Sequence, residues 1–170
     1  MEFRARQGTV QDTDRIVDIW MRGIENSLGT PPPAGHDYRA YFGERLENQD
    51  DIFRYTIVEN DAGDVLGWMS LSPFRSNPAV KGIMAELSAY VEPNKMASGV
   101  TGFGLDHVMR AADASLLQYV IAFCLRTNTG ALKLVYRYGF KELGEYPVSS
   151  KAPDATPLVY LVRACSYREE

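Results

Sequence analysis

The run Tyr119-Val120-Ile121-Ala122-Phe123-Cys124-Leu125 is apolar without interruption. A half-buried strand alternates apolar and polar residues, so an unbroken run marks a strand covered on both faces. Such a strand asks for a sheet with helices above and below it. The uncharged stretch around it, Ala114 to Leu125, spans 12 residues, whereas a membrane span needs about 20. The chain is therefore expected not to cross a bilayer.

The rest of the chain supplies those layers. Phe3-Arg4-Ala5-Arg6 alternates as a short first strand, and Asp12 or Thr13 can cap a helix carrying Ile16, Ile19, Trp20 and Ile24 at helical spacing. Gly29-Thr30-Pro31-Pro32-Pro33-Ala34-Gly35 breaks regular structure. A second amphipathic helix follows, with Tyr38, Tyr41, Phe42, Arg45 and Leu46 along one stripe. Strands are predicted over Phe53 to Glu59, Val65 to Ser72 and Ile83 to Val91, the first two joined by the turn Asn60-Asp61-Ala62-Gly63-Asp64. A helix with Leu105, Val108, Met109 and Ala112 leads to the apolar run. Asn128 or Thr129 caps a last helix ending at Tyr138-Gly139, and strands over Phe140 to Tyr146 and Leu158 to Arg163 close the chain. The expected order is β-α-α-β-β-β-α-β-α-β-β.

With 170 residues and no internal repeat, one domain over residues 1–170 is expected. The chain carries 18 Lys+Arg against 22 Asp+Glu, and that acidic excess argues against a nucleic-acid partner. Cys124 and Cys165 lack the paired spacing of a zinc site, and no metal is expected. The start Met1-Glu2-Phe3-Arg4 has no apolar run of a signal peptide, which with reduced thiols suggests the cytoplasm.

Chemistry concentrates at Gly99-Val100-Thr101-Gly102-Phe103-Gly104, placed between a strand and a helix. Unpaired amides and the dipole of a helix start favour an anion such as phosphate. No Gly-Lys-Ser/Thr follows, so this is not a P-loop. It also does not follow the first strand of a βαβ unit, which disfavours a dinucleotide fold.

Glu86-Leu87-Ser88-Ala89-Tyr90-Val91-Glu92-Pro93, the Gly99 turn, Asn128 and Tyr138-Gly139-Phe140 resemble, in order and spacing, the motifs of the GNAT acyltransferases. The hairpin ending Gly67-Trp68-Met69-Ser70-Leu71-Ser72-Pro73-Phe74-Arg75 resembles their phosphinothricin/methionine-sulfone acetyltransferase branch. The resemblance runs from about Phe3 to Tyr146 and implies the GNAT fold: an α/β (α+β) domain with a mixed, mostly antiparallel sheet of about seven strands and helices on both faces. It implies acetyl-CoA as donor, a small, amino-acid-like primary amine as acceptor, and a homodimer. Ala89 and Val91 would pair with the pantetheine arm. Met96, Ala97, Ser98, Gly99, Val100 and Thr101 would take the pyrophosphate, and Asn128 would sit near the thioester. Glu86 would be the general base. Its place in an apolar strand, as the lone acidic residue between Asp64 and Glu92, should raise its pKa by desolvation. A solvent-facing or salt-bridged strand glutamate is the plain alternative.

The chain departs from the family at three points. Met96 stands where Arg or Gln opens the turn and Thr101 where a small residue closes it, and no Lys or Arg lies between Met96 and Leu105. Lys95, one position early, could compensate. Val135 stands where a tyrosine often protonates the departing thiolate, and Tyr136 is rotated from it by about 100° on a helix. Gly102 and Gly104 each cost a helix about 1 kcal/mol, which a close ligand or partner backbone would explain. These departures keep two alternatives open: a longer or carrier-bound acyl donor, and a non-catalytic domain of the same fold.

On the acceptor side the resemblance points to Ile24, Glu25 and Asn26, the Pro-rich loop with His36, and Phe74 and Arg75. Arg75 could hold a carboxylate or sulfonyl group, or be an ordinary surface arginine. Phe74 fits a wall or core position. His36 and His107 are expected to be plain exposed histidines, and Cys124 an inert core thiol.

Overall fold

The computed structural model describes residues 2–95 and 98–166. The alternating N-terminus forms β1, Phe3–Gln7. The apolar stripe of the first helix holds α1 over Thr13–Leu28, with Ile16, Ile19 and Ile24 buried. Asp12 precedes it, but its carboxylate accepts from the Thr9 N–H and from Arg6 rather than from the helix amides. α2 covers Tyr38–Glu47, β2 Tyr55–Asn60 and β3 Val65–Pro73. A four-residue helix, α3 (Pro78–Lys81), is additional to the predicted order. Asn77 caps it by accepting from the Ala79 N–H.

β4 (Met84–Val91) is followed by α4 (Val100–Asp113), β5 (Tyr119–Leu125), α5 (Thr129–Arg137), β6 (Lys141–Glu145) and β7 (Leu158–Ala164). The strands form one sheet in the order β1-β2-β3-β4-β5-β7-β6. Among the described residues, only β4 and β5 pair in parallel; the other pairs are antiparallel. This is the expected mixed, mostly antiparallel sheet.

Two cores cover its faces. α1 and α2 press Ile16, Ile19, Phe42 and Leu46 onto Tyr55, Ile57 and Trp68. α4 and α5 press Leu105, Val108, Met109, Leu132 and Val135 onto the other face. β5 is covered on both sides, as its apolar run demands, with Val120 and Ile121 fully buried on opposite faces. The stripe expected on α2 is narrower. Phe42 and Leu46 are buried, but Tyr41 is 49% exposed and lies under the Arg45 guanidinium, 4.1 Å from the ring centroid.

Gly104 has a packing reason in place of the close ligand or partner backbone expected. A Cβ there would stand 2.2 Å from the Met69 Sδ, so glycine lets α4 lie close on β3. Gly102 has open space around it and no such contact. Among the described residues, no helix is long and apolar enough to cross a membrane.

Candidate functional site

β4 and β5 are in register only over Met84–Glu86 against Tyr119–Ile121. Beyond that point β4 stays paired to β3 as far as Val91, and β5 stays paired to β7 as far as Leu125. The two strands part from each other, and the backbone edge of β4 from Leu87 to Val91 has no strand partner on the β5 side. A cavity of about 750 Å³ fills the fork.

Glu86 sits at the fork, in the last residue pair before the strands diverge. Register places Ser72, Glu86 and Ile121 side by side, so their side chains share a sheet face. Trp68, further along the same face of β3, donates its indole N–H to the Ile16 carbonyl, which identifies that face as the one under α1. The Glu86 carboxylate is half-buried and has no hydrogen bond or ion pair among the described residues. Burial alone pushes its pKa upward. The salt-bridged alternative therefore does not apply, and the group is a weakly acidic carboxyl facing a cavity.

Four of the residues expected on the donor side, Ala89, Val91, Thr101 and Asn128, line the same cavity, whereas Ser98, Gly99 and Val100 do not. Ala89 and Val91 flank the unpaired edge, and Thr101 and Asn128 stand across it. Asn128 caps α5 by accepting from the Ala131 N–H at 3.2 Å. That engages its Oδ1 and leaves the Nδ2 amide available as a donor on a residue of the cavity lining. Val135 is buried in the cavity wall, while Tyr136 is exposed and donates to Glu142, so Tyr136 does not take the missing tyrosine's place.

The described part of the turn enters α4 through a left-handed glycine. Gly99 stands before α4 at φ +89°, a conformation that an L side chain rarely adopts. The first α4 amides have no partner within the helix. The Val100 side chain is fully buried, leaving only its backbone to meet a ligand. The Ser98 N–H and Oγ both donate to the Lys95 carbonyl. Met96 and Ala97 lie outside the described residues.

A second groove, of about 510 Å³, runs over this turn. Gly99, Thr101 and Gly102 form one side, and Lys133, Leu134 and Arg137 of α5 the other. It shares Thr101, Gly130 and Leu134 with the first cavity, so the two meet there. The basic charge absent from the turn itself is thus supplied across the groove. Sequence reasoning missed it because the two basic residues sit on a separate helix. The signal was their one-turn spacing behind Gly130.

The acceptor-side residues are dispersed. Asn26 lines the cavity with Ser27 and Leu28 from the end of α1, whereas Glu25 is exposed and outside the lining. Phe74 and Arg75 also lie outside it. Phe74 joins a ladder with Phe123 and Tyr160, and Arg75 sits beyond it with its guanidinium 5.8 Å from the Phe74 centroid. His36 is exposed in its loop against Tyr38. Burial raises the Cys124 thiol to about 11, which keeps it protonated and inert at neutral pH.

Glu92 was not singled out from sequence. It is 7% exposed and receives Arg22 through both oxygens, at 2.8 and 2.9 Å, and Arg15 as well. The three side chains tie α1 to the end of β4 beside the cavity.

The model of the acetyltransferase (GNAT) domain matches residues 5–141. YwnH of Bacillus subtilis (strain 168) is 26% identical over 140 residues, covering 81% of this chain and 83% of that protein. The phosphinothricin N-acetyltransferase of Streptomyces coelicolor is 24% identical over 149 residues, 85% of each chain. A crystal structure of the GNAT superfamily phosphinothricin acetyltransferase from Sinorhizobium meliloti, in complex with AcCoA, superposes with a TM-score of 0.80 at 19% identity, over 98% of this chain and 90% of that one.

Proposed function

The chain belongs to the GNAT acetyltransferase family, and on that footing we propose that it moves an acetyl group from acetyl-CoA to the primary amine of a small, amino-acid-like molecule, with Glu86 as general base. The observation that carries the reading is the unpartnered Glu86 carboxyl at the fork between β4 and β5.

The residues present fit the donor. The free edge of β4 at Ala89 and Val91 suits an extended, amide-bearing arm, and Ala131, Leu134 and Val135 offer it an apolar wall. Gly99 to Thr101 and the first α4 amides suit the pyrophosphate, with Lys133 and Arg137 supplying the charge and Ser98, whose N–H and Oγ go to the Lys95 carbonyl, shaping the turn. This charge supports a coenzyme A thioester as the donor. Acetyl-CoA supplies an acyl carbon activated as a thioester.

Glu86 accepts a proton from the acceptor's ammonium, which frees the nitrogen lone pair for attack on that carbon. The Asn128 amide is available to the carbonyl oxygen as charge builds there. The C–N bond forms as the C–S bond breaks. The nitrogen's remaining excess proton leaves through water, which also serves the thiolate because Val135 has none to give. Arg75, beyond the Phe74 ring, and Asn26 are the proposed acceptor contacts, with Glu25 and Phe74 supporting the walls around them. A single domain over residues 1–170, which the continuous sheet supports, and a cytoplasmic location complete the reading.

The test is acetyl-CoA-dependent thiol release across amino acids, sulfones, sulfoximines and aminoglycoside-like amines. Turnover with at least one small amine is expected. Absence of thiol release with all of them, from protein that binds acetyl-CoA, would refute the enzymatic reading.

A further inference from the structure

The acceptor end of the cavity is an aromatic wall, and its charge is unlike what a doubly anionic acceptor needs. Phe123 follows Ile121 by two residues on β5, so it shares the face of Glu86 just past the fork. Its ring stacks on Tyr160 (centroids 5.2 Å apart, planes 11° apart) and on Tyr146 (5.9 Å, 18°), and Phe74 extends the ladder at 6.5 Å and 29°. Tyr146 is held in place by its N–H donating to the Leu158 carbonyl at 2.9 Å, yet its side chain is left largely open, at 52% exposure. Phe123, Tyr146, Leu158 and Leu28 all line the cavity.

Among the described residues, the only cation in that lining is Arg22, and its three nitrogens already donate to Glu92 and Asp18. Among the same described residues, the only carboxylate in the lining is Glu86. An anionic side chain seated within that lining would meet no free counter-charge there, because Arg75 lies outside it beyond the Phe74 ring, and it would face Glu86.

We propose that the acceptor is a primary amine whose body is a flat aromatic group, seated on Phe123 and Tyr146 with its amine toward Glu86, and that amines with an anionic side chain are poor acceptors. The stacked rings supply area and orientation at low entropic cost, since both protein rings are already ordered by their neighbours. The proposal rests on the acetyl-transfer reading above for its chemistry, but its binding preference is separable from turnover.

Two measurements test it. In the thiol-release assay, phenylalanine and phenethylamine should exceed phosphinothricin in kcat/KM by tenfold or more. Tyr146→Ala and Phe123→Leu should raise KM for phenethylamine at least fivefold and leave KM for acetyl-CoA within twofold, while Tyr146→Phe restores the wild-type value. In calorimetry on protein saturated with coenzyme A, phenethylamine should bind more tightly than phosphinothricin. Equal or better binding of phosphinothricin overturns the proposal. So does a phenethylamine KM indifferent to Tyr146→Ala. If phenethylamine binds with the predicted preference but is never acetylated, the aromatic site stands and the catalytic reading falls.

Discussion

Replacing Glu86 by glutamine separates catalysis from folding in one variant. The substitution keeps shape and volume and removes the basic oxygen. A positioned general base contributes about 100- to 10,000-fold, so kcat/KM at neutral pH should fall by that range, equivalent to about 3–5 kcal/mol of transition-state stabilisation. Among the described residues the carboxylate has no hydrogen bond or ion pair to lose. Burial raises its pKa in the folded chain, so the folded state binds the proton more tightly than the unfolded state does. Ionised Glu86 therefore costs stability above its folded pKa, and that cost disappears as pH falls through the raised pKa toward the ordinary carboxylate value. A neutral amide escapes the cost, so Glu86→Gln should match or exceed wild-type thermal stability at neutral pH while losing activity. Wild-type log kcat/KM should climb with pH through a value above the ordinary glutamate range, and the variant should lose that limb. Thiol release across pH and a thermal melt of each protein decide it. A variant within threefold of wild-type turnover would eliminate Glu86 as the base, and a large drop in Tm would mark the carboxylate as structural.

Further outcomes follow from the same geometry. Lys133→Ala combined with Arg137→Ala should raise KM for acetyl-CoA about tenfold at low salt, with kcat unchanged at saturation and the difference shrinking at high ionic strength; initial-rate kinetics at two salt concentrations report it. Gly104→Ala should destabilise the fold by about 1–3 kcal/mol despite the better helix former, because Met69 is fully buried and the added Cβ meets its sulfur at 2.2 Å; the urea midpoint measures this. Asp113→Asn weakens a buried pair in which Arg163 donates twice to the carboxylate, both at 2.7 Å. It should cost about 3–5 kcal/mol in denaturant unfolding and leave the acetyl-CoA KM of the folded protein unaltered.

What could be read in advance followed from periodicity and local chemistry. The apolar run of β5 could only be a doubly covered strand, and Ile16, Ile19 and Ile24 could only face a core. Glu86 stood out because it was the one carboxylate in a long apolar section. α3 escaped because four residues carry no period, and its cap at Asn77 resembles any turn. Tyr41 was misjudged because one step off the stripe turns a side chain out of the core. The site's missing parts come from tertiary approach. Lys133 and Arg137 meet the Gly99 turn only because α5 packs beside α4, and nothing in either segment announces the other. Phe123 looked like core for the same reason that β5 was easy to recognise: an apolar run hides the one member that faces an opening. Glu92 looked like an ordinary strand-end acid until α1 brought Arg15 and Arg22, two turns apart, onto it.

The sheet amounts to two leaves, β1 to β4 and β5 to β6, stitched along their shared seam by three residue pairs at one end. Past that stitch, the fabric lacks its rungs, and α1 packs against both leaves on the face above Glu86. A donor that lays its amides along the seam would complete the weave, so loading should slow amide hydrogen exchange on both leaves at once, far beyond the residues it touches. Thioesters stripped of those amides would carry the same reactive carbon and leave the seam unsewn.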